Sequence, residues 1–226
     1  MRKLIVTAIL TLFSFTSANA DLGVNIGISG QMGLFAASAT ETDTGTDGTT
    51  SGADEKNSES EYLGIGWGSV FIEKTLGRAF IGIDYVPSAL ETDSKEERRA
   101  DLGVGVETQT VPVVENKIQV DFEDLTTYYL GFNVNDNLYA KAGIMTVDII
   151  TNENLGTGST YGNTDMDGMM FGVGYNATND SGLFLRVEGN YMEFDGASLK
   201  SANSINKISL DSLDGVSGKL SVGKSF

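Results

Sequence analysis

Apolar and polar positions alternate with a period of two along most of this chain, the signature of β-strands with two unlike faces. Across 22–37, Leu22, Val24, Ile26, Ile28, Met32 and Leu34 fall on one face, and Gly23, Asn25, Gly27, Ser29, Gln31 and Gly33 on the other. The stretch 215–226 repeats the pattern, with Val216, Leu220, Val222 and Phe226 opposed to Ser217, Lys219, Ser221, Gly223 and Ser225. Between them the same reading predicts strands at about 62–72, 79–86, 117–134, 138–147, 168–175 and 183–193. In the first of these, Leu63, Ile65, Trp67 and Phe71 are expected to face outward and Gly64, Gly66 and Gly68 inward.

The connections alternate long and short. The tract 40–61 is Thr, Gly, Ser, Asp and Glu, too polar to bury a core, and reads as a long exposed loop. Short turns are expected at 73–78, 135–137 and 176–181, and further long polar connections after 86, from 152 to 167 and from 194 to 214. Eight strands joined in this way predict an all-β, antiparallel, up-and-down barrel. Leu102, Val104, Val106, Thr108 and Thr110 alternate once more within the second long connection. A ninth spanning strand there would put the chain ends on opposite sides, whereas single-chain bacterial barrels have an even number of strands. The segment 102–114 is therefore read as a hairpin above the barrel, with a spanning strand as the alternative.

Composition narrows the class. Met1, Arg2 and Lys3, the apolar run to Phe15, and Ala18-Asn19-Ala20 have the three parts of a cleavable secretory leader, so 1–20 is assigned to it and 21–226 to one barrel domain. The chain has no cysteine, so an exported barrel must be stable without disulfides. Loss of Arg2 and Lys3 leaves 13 basic against 31 acidic residues, a net charge of about −18, which argues against a nucleic-acid partner. The 28 glycines and 2 prolines suit strands packed tightly around a narrow axis.

On these features, the alternating strands, the long and short connections and the aromatic Phe226 in the closing strand, the chain resembles the small eight-stranded bacterial outer-membrane barrels, the OmpA/OmpX-like and opacity-type group. The resemblance implies a transmembrane barrel with short periplasmic turns and long extracellular loops. It also implies outer-membrane lipids as surroundings, Phe226 as the mark read by the assembly machinery, and a monomer. A glycine-rich inner face and a continuous apolar band favour this over a secreted soluble ligand-binding barrel, which would enclose its apolar face. Phe71, Phe132, Tyr175 and Phe226 are expected in a girdle at the turn end, and Tyr85 and Tyr191 in one at the loop end.

Candidate chemistry is sparse. Asp84, Lys141, Arg186 and Glu188 fall on inward positions at similar heights and are expected to pair as a charged plug, since an isolated charge in so narrow a space is costly. No histidine is present to serve as base or acid, so no enzyme is expected, and no motif for a cofactor or zinc is found. Asp43, Asp47, Asp54, Glu55, Glu59 and Glu61 make the first loop acidic enough for loose association with a divalent cation or an extracellular ligand. Asp165 and Asp167 lack the ligand spacing of a calcium loop, so no metal site is assigned. The expected function is a structural or surface-interaction role through acidic loops, with a narrow porin-like channel as the alternative.

Overall fold

A computed structural model describes residues 22–43, 55–91, 95–100, 113–155, 160–202 and 206–226. The leader assigned to 1–20 and nearly all of 102–114 lie outside the described residues. Among the described residues there are eleven strands: β1 Val24–Asp43, β2 Glu55–Leu76, β3 Ala79–Tyr85, β4 Leu90–Glu91, β5 Lys95–Ala100, β6 Val113–Asn133, β7 Leu138–Leu155, β8 Thr164–Thr178, β9 Leu183–Phe194, β10 Ala197–Lys200 and β11 Asn206–Ser225. Eight of them form an antiparallel ring in the order β1, β2, β3, β6, β7, β8, β9, β11, and pairing of β11 with β1 closes it. Closure removes every free edge where the ladders meet. The short β4 and β5 lie on the upper part of β6, and β10 lies on β11.

Three tight turns close one end of the ring. Gly77, at φ 68, turns β2 into β3. The Asn135 side-chain oxygen accepts from the backbone N–H groups of Asn137 and Leu138 at 2.9 and 2.8 Å, and Asn179 does the same for Ser181 and Leu183 at 3.0 Å each. These are the self-bonded turns that asparagine favours. The other end carries the long connections.

The strands at that loop end run further than hydrophobic alternation indicates. Pairing of β1 with β2 continues to Asp43 opposite Glu55, inside the tract read as loop. Likewise β5 pairs with β6 from Lys95 opposite Ile118 to Ala100 opposite Val113, inside the charged patch 95–99 read as part of a long connection. Backbone ladders need no apolar side chains, and Thr40 adds bonds to Ser58 at 2.9 Å and Asp211 at 2.8 Å.

Side-chain direction follows the predicted parity in seven of the eight ring strands. On β2 it is reversed. Trp67 and Phe71 are buried in the lumen with Ser69 and Glu73, while Gly64, Gly66 and Gly68 face out. Phe71 therefore leaves the expected girdle, whereas Phe132, Tyr175, Tyr85 and Tyr191 are exposed on the outer surface. The fixed parity of a strand explains the reversal: Ser69 and Glu73 share a face with Trp67, and Ile72 takes the opposite one.

Glycines and aromatic rings fill the narrow interior together. Gly27 lies opposite Phe71, Gly82 opposite Tyr129, Gly131 opposite Phe80, Gly174 opposite Tyr139, Gly215 opposite Phe35 and Gly223 opposite Phe184. Each ring covers the glycine of the neighbouring strand. A Cβ on Gly131 would come within 2.1 Å of the Phe80 ring. Eight strands leave room only for side chains, and these pairs fill that room.

Candidate functional site: the layered lumen

From the turn end upward, the lumen changes character three times. An open vestibule of about 790 Å³ is lined by asparagines, including Asn25, Asn133 and Asn176, and ends on Arg186. Above it lies a layer of charges. Gln31, Ser29, Ser69 and Ser217 follow, with Gln31 donating to Ser217 at 2.6 Å and the two other serines 2.5 Å apart. Nearest the loops, Phe35, Trp67, Met145, Met170, Met192, Phe194 and Leu213 form an apolar layer.

Among the described residues six charged side chains are buried, and all six are paired. Arg186 on β9 reaches across the ring to Glu73 on β2, with Nη1 2.6 Å from Oε1. Lys141 on β7 meets Glu188 on β9 at 2.7 Å. Lys219 on β11 pairs with Asp84 on β3.

Neutral groups complete two of the pairs. Glu73 accepts from the Tyr129 hydroxyl at 3.0 Å and from the Asn25 amide at 3.1 Å. Glu188 accepts from Tyr139 at 2.7 Å, and Arg186 Nε donates to Asn176 at 3.1 Å. The Arg186 guanidinium also lies 4.5 Å from the centre of the Phe184 ring, and the Lys141 ammonium 4.6 Å from that of Tyr129. Such contacts offset the cost of withdrawing ions from water.

Asp84, Lys141, Arg186 and Glu188, the four charges singled out in the sequence, therefore lie in one layer. Only Lys141 and Glu188 among them are direct partners. Arg186 and Asp84 pair instead with Glu73 and Lys219, which sequence reasoning missed. Glu73 falls within the turn expected at 73–78, whereas β2 continues to Leu76. Lys219 stood on the polar face of the closing strand, so its parity alone would have located it.

Glycines of β8 make room for the Lys141 pair. Lys141 and Glu188 are separated by the intervening strand, where Gly172 lies opposite Lys141 and Gly174 opposite Glu188. A Cβ on Gly172 would lie 3.1 Å from Lys141 Cε and 2.4 Å from the Asn190 side-chain oxygen. Gly172→Val is therefore expected to lift Lys141 off Glu188 and to destabilise the barrel by at least the ~1–3 kcal/mol of ordinary overpacking. The check is the temperature at which the folded form is lost on unboiled gels, and a transition unchanged from the parent would show that the lysine crosses elsewhere.

The arrangement is one of mutual neutralisation. Among the described residues every buried charge is matched, and no three acidic side chains are grouped so as to hold a metal ion. Asp165 and Asp167 are both exposed on β8.

No protein-family model matches the sequence, and no curated protein matches it. Several solved structures of bacterial outer-membrane proteins are similar in fold. OprG of Pseudomonas aeruginosa aligns with a TM-score of 0.49 and 12% identity, over 91% of this chain and 97% of that one. The protease OmpT of Escherichia coli aligns at 0.44 and 9%, over 94% and 100%. Ail of Yersinia pestis, in complex with the heparin analogue sucrose octasulfate, aligns at 0.37 and 10%, over 88% and 99%.

Proposed function

We propose that this protein is an integral barrel of the bacterial outer membrane, non-enzymatic and monomeric, with a lumen closed by ion pairs and a role exerted through its acidic loop end. One observation carries the reading: polarity is inside out. Met32, Val173 and Ile144 are 77%, 67% and 61% exposed on the outer surface, while Glu73, Lys141 and Glu188 are buried within. The outward apolar residues continue around the ring on β1, β3, β6, β7, β8, β9 and β11. Apolar surface on that scale exceeds what a water-soluble monomer leaves uncovered, and lipid would solvate it. A closed ring also satisfies the demand that hydrocarbon makes on backbone polar groups.

Within that class the reading follows the OmpA/OmpX-like, opacity-type pattern, with a leader at 1–20, the tight turns in the periplasm and the loops outside. The acidic loop end is then the surface for an extracellular ligand or divalent cation. Fractionation tests the membrane assignment: the protein is expected only in detergent extracts of outer membranes, with mobility that shifts on boiling, and recovery from the soluble periplasm would end it.

Phe226 has a place in closure as well. Its N–H donates to the Val24 carbonyl at 2.8 Å, it accepts from the Val24 N–H at 3.2 Å, and Lys224 lies 5.2 Å from its ring centre. As the proposed assembly mark, its deletion is expected to lower the fraction inserted without changing synthesis. Equal insertion of truncated and full-length chains would remove that role.

A further inference from the structure

Above Val70 the ladder between β2 and β3 gives way to a gap in backbone pairing, although β4 stays near β2. The ladder between β2 and β3 runs only from Leu76 opposite Ala79 to Val70 opposite Tyr85. By contrast, β1 stays with β2 to Asp43 opposite Glu55, and β6 stays with β7 to Asn116 opposite Leu155. The cause is local to the far side of the gap. Pro87 has no N–H with which to prolong β3, and Asp124, at φ 53, sits in a bulge of β6 between Glu123 and Thr126. The Val86 N–H still donates to the Leu125 carbonyl at 3.0 Å, so this side remains one unit. Among the described residues no strand pairs with the upper part of β2, residues 55–69, on the side away from β1.

Behind the gap lies an apolar cavity of about 40 Å³. Leu63, Ile65 and Trp67 line it from β2, Leu90 and Phe122 from the far side, and Phe35 from behind. In front of it, between Tyr62 and Val70, the outward face of β2 carries only Gly64, Gly66 and Gly68. A Cβ on Gly64 would meet nothing within 4 Å. Toward the turn end the way is closed by the pairs Lys219–Asp84 and Lys141–Glu188. The cavity thus lies between residues from both sides of the gap, with the ion pairs closing it toward the turn end.

We propose that this cavity receives the hydrocarbon chain of a membrane lipid, entering sideways between β2 and β3 from the surrounding leaflet. The proposal rests on the membrane reading above. Size selects a chain over a ring, since benzene occupies engineered cavities of about 150 Å³. The drive is contact: atoms lining a void lack partners on one side, and a methylene supplies them. Transfer from lipid hydrocarbon is otherwise neutral, so occupancy depends on fit and on the absence of side chains over the entrance.

Trp67 is the only tryptophan of the chain and lines the cavity, so it reports directly on the occupant. The purified barrel is reconstituted in phosphatidylcholine vesicles with brominated acyl chains, and emission is compared with that in unbrominated vesicles. Trp67 is expected to lose most of its emission. Gly66→Leu is expected to restore it by covering the entrance, and its added Cβ meets only ordinary contacts at 3.7 and 3.8 Å. A control barrel carrying Trp67→Phe and Tyr128→Trp places the reporter on the outer surface, where Tyr128 is exposed.

A quenched control with an unquenched Trp67 overturns the proposal and leaves the membrane reading standing. Neither quenched overturns both. Quenching of Trp67 that Gly66→Leu does not relieve overturns the sideways entry, as does quenching by a free aliphatic bromide added from the aqueous side when brominated lipids have no effect.

Discussion

Arg186→Ala is expected to cost the barrel on the order of 3–5 kcal/mol, because it leaves the Glu73 carboxylate buried without its counter-ion. The Glu73 side chain is only 2% exposed, and after the change it would keep only the Tyr129 hydroxyl and the Asn25 amide as donors. Two neutral bonds do not replace a charge-assisted one at 2.6 Å. Arg186 also packs against Phe184, so alanine removes contact as well as charge. Arg186→Met separates the two, keeping most of the bulk and losing only the ion. If the charge dominates, methionine costs nearly as much as alanine.

The partner change settles the pairing. Glu73→Gln removes the orphaned charge while its amide oxygen can still accept from Tyr129. In an Arg186→Ala background it is therefore expected to recover a large part of the loss, giving a coupling of roughly 1–3 kcal/mol in a double-mutant cycle. Urea unfolding in lipid vesicles measures all four proteins. Additive losses would show that Arg186 and Glu73 do not act as a pair. A loss below about 1 kcal/mol for Arg186→Ala would show that water from the vestibule reaches the carboxylate.

The ring itself was legible because both inner and outer positions repeat every second residue, and the register fixes the rest once one face is known. β8 and β9 alternate buried and exposed without a break across their spanning parts, as the sequence pattern has them. On β2 the hydrophobic pattern misleads, because an apolar side chain does not by itself face lipid. Trp67 and Phe71 are apolar yet lumenal, and no rule of alternation distinguishes an apolar residue packed in a narrow lumen from one in a bilayer. Glu73 offered the signal, since a carboxylate three turns of the pleat below Trp67 shares its face and is far costlier in lipid. The ion pairs were legible only as an inventory of inward charges. Partners such as Arg186 and Glu73 are 113 residues apart and meet across the ring, so their choice depends on strand tilt and stagger, which local sequence does not encode. Strand length at the loop end was hidden for a different reason: β1 and β2 continue on backbone bonds with polar side chains, where a hydrophobic pattern gives no sign.

The native barrel is expected to carry no steady ion current in a planar bilayer, and removing the plug alone is expected not to change that. Two barriers stand in series. The lower is the ion-pair layer, where Arg186 closes the vestibule. The upper is the apolar layer around Trp67, Met170 and Met192, with a cavity of only about 20 Å³ between the layers, lined by Gln31, Asp84, Lys141 and Lys219 among others. That space holds about one water. A hydrated ion crossing either layer must shed water at a cost of several kcal/mol, and each 1.4 kcal/mol is a factor of about ten in occupancy. The larger barrier alone therefore sets the current. Glu73→Ser with Arg186→Ser removes both partners and so leaves no orphaned ion, while Trp67→Ser with Met192→Ser wets the upper layer. Neither pair of changes is expected to conduct, and the four together are expected to give a steady current of small unit size. Steady conductance in the native protein would refute closure altogether. Current through the plug-free variant with its apolar layer intact would show that the ion pairs are the only seal, and current through the wetted variant with its ion pairs intact would show the reverse.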